Sequence, residues 1–339
     1  MGDVTAIVVG LGVRGCHWLD LLARSDGVQV VAGVDPDAGA RNQARRYLGG
    51  PACCLFPTLP MALRNCDAQA AIVCTPAPVR EEPVLACLEA GMGVLVEKPF
   101  ARSAAEARRM VARAEALGKP LVVAQNYRYA LPEVAIRQAL AGGAIGRVGF
   151  CHCISHRLRP AAGTYLVHVP YAQLDMAVHH FDNFRHQLDA DAVRVKATAF
   201  NPPWSDYEHG AGISALITFS NGVRAGYLGS YASQNNSFSE RIEGSEGLLT
   251  CEDTRVRCRR RGRIFAFRPR VPEMHALDRR KLPYGGMHAV LEEMKRALDG
   301  DLDTPNCARR NLQTLGILLA CIASDSDGCE VSVAEALNA

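Results

Sequence analysis

In the first 130 residues, five short apolar runs, VTAIVVG, VQVVAGVD, AQAAIVCTP, GVLVEKP and PLVVAQNYR, alternate with stretches whose apolar positions recur at helical spacing. A strand covered on both faces can be apolar at nearly every position, so each run reads as a buried parallel strand. The intervening CHWLDLLARSD, ARNQARRYLG, VREEPVLACLEAG and SAAEARRMVARAEALG read as amphipathic helices. Ser103 and Glu106 fit a capping box at the start of the last one.

After Gln125 the pattern changes. A helix over roughly Pro132 to Ala141 and a Gly-Gly segment precede the alternating stretches VGFCHCISHRL, AVRVKATAF, ISALITFSNG, VRAGYLGSYAS, RIEGSEGLLTCED and TRVRCRR, separated by turn residues such as Ser220, Asn221 and Gly222. These predict a large, mostly antiparallel open sheet, with DMAVHHFD as a helix inserted after its first strand. The fold class is α/β: a doubly wound parallel sheet over residues 1–125, then an α+β domain over 126–339. The final helical segment, 286–325, is expected to pack beside the first domain. A chain of 339 residues can bury two separate cores.

The first strand runs straight into GLGVRG, residues 10–15, and then into a helix. In that context GxGxxG is a dinucleotide-binding turn. Gly10 allows the tight turn, Gly12 lets a pyrophosphate approach the backbone, and Gly15 lets helix pack closely on strand. Asp35 stands at the end of the second strand, 20 residues after Gly15, where a carboxylate can hydrogen-bond the adenosine ribose. That carboxylate repels a 2′-phosphate and favours NAD, while Arg41, Arg45 and Arg46 offer a place for the extra phosphate of NADP. The Rossmann-type first domain is therefore expected to bind NAD, with NADP as the other choice.

Composition narrows the classes. The chain is 48% hydrophobic and 22% charged with a formal net charge of +3, as in a globular protein without a strong electrostatic partner. Its strongest charge cluster, RVRCRRRGR at 255–263, lacks interleaved aromatic residues and reads as a solvated hairpin, so no nucleic-acid partner is expected. Thirteen cysteines show no CxxC pair, which suits reduced, buried thiols in a cytoplasm and no metal site. No stretch is long and apolar enough to span a membrane.

Four features in order resemble the glucose-fructose oxidoreductase, inositol dehydrogenase and MocA family (Gfo/Idh/MocA). They are GLGVRG, the tripeptide Glu97-Lys98-Pro99, Asn126-Tyr127-Arg128-Tyr129 at the domain junction, and Asp175 with His179 and Asp182. The resemblance covers nearly the whole chain, including the turn in IEGSEG and the last helix. It implies an NAD(P)-dependent oxidoreductase acting on a sugar, cyclitol or related polyol. It also implies cofactor contacts from Gly10, Gly12, Val13, Arg14, Gly15, Asp35, Thr75, Pro76, Glu97, Lys98 and Asn126. Two positions depart from the family: Ala177 stands where glycine is frequent, and Arg80, after the Thr75-Pro76 turn, where histidine is frequent. Arg80 is therefore expected to alter the cofactor or substrate edge.

Within that frame the DMAVHHFD helix acquires a role. At about 100° per residue, Asp175, His179 and Asp182 fall on one stripe and His180 points elsewhere. Oxidation of an alcohol needs a group to take the hydroxyl proton, and a neutral imidazole supported by a carboxylate suits that task. His179 is the candidate base and Asp175 its orienting or substrate-binding partner. Lys98, at the carboxyl end of a parallel strand, can hold the reacting oxygen and stabilise alkoxide character. Pro99 is expected to fix the turn, with a cis bond as one way of doing so. Substrate contacts are expected from Lys98, Arg128, Asp175, His179 and Arg157. The last shares one strand face with Arg159, where an anionic substrate group could be met.

Two other functions fit the same motifs: glycoside cleavage through transient oxidation and elimination, and a non-catalytic dinucleotide-binding regulator. The open sheet of the second domain is expected to mediate a homodimer or homotetramer.

Overall fold

The computed structural model describes residues 3–48, 53–160, 170–271, 274–280 and 284–339. The chain forms two compact units, each built from two segments: residues 1–126 with 275–311, and residues 127–274 with 312–339.

In the first unit β1 (Val4–Val9), α1 (Val13–Leu22), β2 (Val28–Val34), α2 (Ala38–Ala44), β3 (Cys54–Phe56), α3 (Leu59–Asn65), β4 (Ala70–Val73), α4 (Glu81–Glu89), β5 (Gly93–Val96), α5 (Ala104–Leu117) and β6 (Leu121–Val123) alternate. The six strands pair in the order β3-β2-β1-β4-β5-β6, and every pair is parallel. Every residue of β4, β5 and β6 is buried, as continuous apolar runs demand when both faces are covered. The short edge strand β3 and the helix α3 were not anticipated. Three residues, CLF, are too few for a periodic signal.

Ser103 caps α5 as expected, its hydroxyl accepting the Glu106 amide at 3.2 Å. The other half of the expected box differs. The Glu106 carboxylate accepts from the Arg102 amide and guanidinium, at 2.9 and 2.6 Å. The helix ends on Gly118 in the left-handed conformation (φ 60°), which releases the chain towards β6.

The later segment of this unit contributes a helix, Met287–Leu298, that lies against β5. Gly93 makes that contact possible, because a Cβ there would stand 2.7 Å from Leu298 and 2.8 Å from Met294. Glu293, buried on that helix, accepts the backbone and side-chain N–H groups of Asn306, both at 2.8 Å. The Asn306 carbonyl in turn accepts the Val123 amide at 2.8 Å, stitching the segment to β6.

The second unit begins with α6 (Leu131–Ala141), β7 (Val148–Leu158) and α7 (Leu174–Leu188), followed by β8 (Ala192–Phe200), β9 (Gly212–Phe219), β10 (Arg224–Ser230), β11 (Ala232–Gly244), β12 (Gly247–Glu252), β13 (Arg255–Arg260) and β14 (Arg263–Ala266). In chain order the helix Met287–Leu298 of the first unit is α8. It is followed by α9 (Ala308–Asp327), β15 (Val331–Ser332) and α10 (Val333–Asn338).

The nine strands pair in the order β14-β13-β12-β11-β7-β10-β9-β8-β15, antiparallel except for β7 with β10. The inner face packs a core that includes Phe181, Phe184, Phe219, Ile217, Ile242 and Leu249. The other face leaves Phe150, Leu216 and Ile264 exposed. The basic run forms the β13–β14 hairpin, with Arg255, Arg257 and Arg259 on its exposed face.

Between α6, α7 and β11 lie two buried acids. Gln187 donates to Glu133 at 2.7 Å and to Glu240 at 3.3 Å. Burial, with the charge of Glu133 adding to it, pushes Glu240 well above the usual carboxylate range. Burial raises Glu133 to about 7, against the hydrogen bonds from Gln187 and Asn183. A carboxyl raised on folding binds its proton more tightly in the folded state. Its contribution is therefore favourable at low pH and is lost as pH rises through the folded value.

Glu240→Gln should then leave stability near that of the parent at pH 4 and raise it by about 1–3 kcal/mol at pH 8. His186, lowered to about 4 by burial and by Arg128, acts in the opposite sense, costing stability as pH falls below its unfolded value. Thermal melting of variant and parent, compared at each pH, cancels that background. A variant no more stable than the parent at pH 8 would show that the pair carries no such cost.

Candidate active site

In the first unit the glycine turn has the shape its sequence calls for. Gly10 adopts φ 89°, and a Cβ there would meet the Cys74 carbonyl carbon and the Thr75 nitrogen at 2.9 Å. A Cβ on Gly15 would stand 1.9 Å from the Gly10 oxygen, so α1 packs on the turn only as glycine. At Gly12 nothing lies within 4 Å, and Val13 beside it is 76% exposed. An open lip at the amino end of a helix is where a pyrophosphate fits.

Asp35 faces this turn. Its carboxylate accepts from the Leu11 amide at 2.7 Å and the Asp37 amide at 2.9 Å, which fixes it beside the glycine loop. Arg41 is turned onto the backbone carbonyls of Asp35 and Pro36, at 2.7 and 2.9 Å.

Along the carboxyl edge of the sheet, two buried polar groups lack partners among the described residues. The Thr75 hydroxyl, in the Thr75-Pro76 turn after β4, and both polar atoms of Gln125, after β6, have no hydrogen-bond partner. Together with the open Gly12 lip, these orphans fit a dinucleotide laid across the sheet edge. Gln125 carried no sequence signal beyond ending an apolar run.

The Glu97-Lys98-Pro99 turn follows β5, and its Lys98–Pro99 bond is cis. Glu97, 5% exposed, accepts from the Trp18 indole at 2.8 Å and pairs with Arg14 at 3.2 Å. Arg14, expected at the cofactor, thus also ties α1 to the end of β5. Lys98 is 9% exposed.

Arg80 is buried beneath this turn rather than displayed at an edge. It donates to the Thr75 carbonyl at 2.9 and 2.5 Å, to the Glu97 carbonyl at 2.8 Å and to the Pro99 carbonyl. It therefore acts through backbone, stapling the turn after β4 to the turn that carries Lys98. Asn126, 1% exposed, donates to the Gly285 carbonyl at 2.7 Å.

In the second unit α7 carries the remaining candidates. His179, 1% exposed, stacks on Tyr127 with centroids 3.8 Å apart and planes within 5°. Asp175 lies 3.8 Å from Arg159 and accepts from the Tyr231 hydroxyl at 3.5 Å. Asp182 receives both arms of Arg128, at 2.8 and 2.6 Å, and the Thr314 hydroxyl at 3.0 Å. His180 faces the sheet, its Nδ1 3.2 Å from the Tyr227 hydroxyl.

The loop at 201–210 is tied inward by Asn201, which donates to the Tyr207 carbonyl at 2.6 Å, and by the Tyr207 hydroxyl, which donates to the Arg159 carbonyl at 3.2 Å. Substrate choice is expected to depend on two loops, Pro160 to Leu174 and Asn201 to Gly210, and residues 161–169 of the first lie outside the described residues. Among the described residues no three His, Cys, Asp or Glu side chains are placed to hold a metal ion, and no helix is long and apolar enough to cross a membrane.

Comparison with known proteins places this architecture. Residues 4–125 match the family model described as "Oxidoreductase family, NAD-binding Rossmann fold", and residues 133–250 match the Gfo/Idh/MocA C-terminal domain. The chain belongs to the Gfo/Idh/MocA oxidoreductases, and its first domain is an NAD-binding Rossmann domain.

Inositol 2-dehydrogenase 1 of Saccharopolyspora erythraea is 36% identical over 191 residues, which span 56% of this chain and 55% of that protein. An oxidoreductase from Agrobacterium radiobacter, solved with NAD+, L-tartaric acid and magnesium, superposes with a TM-score of 0.85 at 17% identity over 98% of this chain and 99% of that one. The WlbA dehydrogenase of Bordetella pertussis, solved with NADH and UDP-GlcNAcA, gives 0.79 at 20% identity over 97% and 98%. At these identities the two structures speak for the fold alone.

Proposed function

We propose that this protein interconverts a secondary alcohol and a ketone on a sugar, cyclitol or related polyol, using NAD. The observation that carries the reading is Lys98: an ammonium 9% exposed at the carboxyl edge of an NAD-binding sheet, on a turn held by Arg80 and Glu97. An ammonium withdrawn from water at that edge stabilises an oxygen that gains negative character more strongly than one in water does.

In this reading Lys98 donates a hydrogen bond to the reacting oxygen, and His179 takes the hydroxyl proton in oxidation or returns it in reduction. Bound NAD supplies the hydride acceptor. Gly10, Gly12, Val13, Arg14, Gly15, Asp35, Thr75, Pro76 and Asn126 hold it. Tyr127 keeps the His179 ring in one plane, and Asp175 joins His179 to the Arg159 and Tyr231 side. Arg128, engaged with Asp182, acts on α7 rather than on substrate directly. The apolar residues on the outer sheet face support a homodimer or homotetramer.

The test is NAD and NADP reduction, followed by nicotinamide absorbance, across sugars, inositols, uronates and amino sugars. NADH formed in step with a ketone product is the expected result. Tight NAD binding with no reduction by any of these alcohols would replace it, and glycoside cleavage without net cofactor change would name the successor.

A further inference from the structure

Along β7, Cys151, Cys153 and Ser155 point to the inner face and are 3%, 2% and 0% exposed. By the same alternation Arg157 follows them. Its Nε is closed off from solvent and without an acceptor, and no ion pair engages its guanidinium among the described residues. It lies close enough to Tyr227 for its charge to oppose the effect of burial on that phenol, which burial pushes well above the usual range.

The Tyr227 hydroxyl is held by Gln173, at 3.3 Å, and by His180. Gln173, 0% exposed, has no donor to its own Oε1 among the described residues. Gly229 clears the space these groups occupy, since a Cβ there would stand 2.3 Å from the Gln173 nitrogen and 2.6 Å from the Tyr227 oxygen.

Two residues along the chain, Arg159 stands 4.9 Å over the Tyr231 ring, donates to its hydroxyl at 3.1 Å and faces Asp175. Two guanidinium groups and one carboxylate thus sit at the amino end of α7, one helical turn from His179. Among the described residues Asp175 is paired with Arg159, and no ion pair reaches Arg157.

A half-buried guanidinium with an unmet N–H is costly unless something supplies the acceptor. We propose that a carboxylate of the substrate supplies it. The substrate class is then a hydroxylated monocarboxylate, such as a sugar acid, with Arg157 on the carboxylate and the Gln173 Oε1 accepting from a substrate hydroxyl. A planar carboxylate matches the guanidinium fork. A phosphate dianion would bring a second negative charge next to Asp175, which repels it. The substrate assignment rests on the dehydrogenase reading; the binding of the anion does not.

The experiment compares matched pairs on the NAD-loaded full chain: D-glucuronate with D-glucose, D-galacturonate with D-galactose, and D-gluconate with D-glucitol, with glucose 6-phosphate alongside. In the parent, kcat/KM is expected to favour the acid of at least one pair by about 10- to 100-fold, the scale of a charge-assisted hydrogen bond. Arg157→Gln should bring that ratio to near one, chiefly through KM, and Arg157→Lys should keep part of it and guard against a folding defect. Equal use of acid and neutral partners, a preference for the phosphate, or a preference that survives Arg157→Gln in a normally melting protein overturns the proposal.

Calorimetric titration with the same acids separates the two readings if no NADH forms. Acid binding lost in Arg157→Gln supports the subsite and removes the dehydrogenase. No acid binding overturns the subsite.

Discussion

Lys98→Met should lower kcat for the reacting polyol by about 10²–10³-fold, and His179→Gln by about 10²–10⁴-fold. Methionine keeps most of the buried volume of the lysine stem and removes only the ammonium, so a loss in kcat reports the charge at the reacting oxygen. Glutamine keeps a polar side chain beside Tyr127 but cannot take a proton at neutral pH. His179 is assigned to the hydroxyl proton and not to the residues that hold NAD, so NAD titration should be unchanged in His179→Gln. Steady-state kinetics with the best substrate of the panel decide the matter. Either variant turning over at the parent's rate would remove that residue from the chemistry.

Asp182→Ala should cost about 3–5 kcal/mol of stability in the second unit. Arg128 and Asp182 have side chains 6% and 1% exposed, and both guanidinium arms end on the one carboxylate. Thr314 adds a donor from α9 and itself accepts from Arg185 at 2.8 Å, so the carboxylate joins the Asn126–Tyr129 turn, α7 and α9. Truncating it strands a buried cation, and that stranding is the main cost. Arg128→Met combined with Asp182→Leu should therefore recover much of the loss, since it removes both charges. Thermal melting gives the size, and hydrogen exchange along α7 gives the place. A single-variant loss below about 1 kcal/mol would mean that water reaches the pair.

The parallel sheet was legible because its strands are apolar at nearly every position, which leaves few other readings for four to seven residues between helices. Most strands of the second sheet were legible from a period-two or β-rich pattern, and β7 and β8 match their sequence limits, while the short β14 and β15 were not read. What escaped was short or distant. β3 is three residues long. Trp18 meets Glu97 across 79 positions, and Arg80 reaches carbonyls whose location depends on how two strand ends lie together. A helical stripe could separate His179 from His180, but it could not say that Asp182 would be taken up by Arg128. Backbone carbonyls and orphaned side-chain atoms, such as those of Gln125 and Thr75, leave no periodic trace.

Each unit closes only with a second segment of chain, and that arrangement has a consequence at the ribosome. When residues 1–126 have emerged, the six parallel strands are all present, yet α8, which covers β5, and the Asn306 contact on β6 have not been made. Nearly 150 further residues must be synthesised before residues 275–311 arrive to finish the dinucleotide-binding unit. The nascent Rossmann sheet therefore waits with Gly93 and its neighbours uncovered while the second sheet is being made. An amino-terminal fragment cut at the apparent domain boundary would carry the whole cofactor motif and still expose the apolar surface of an unfinished protein.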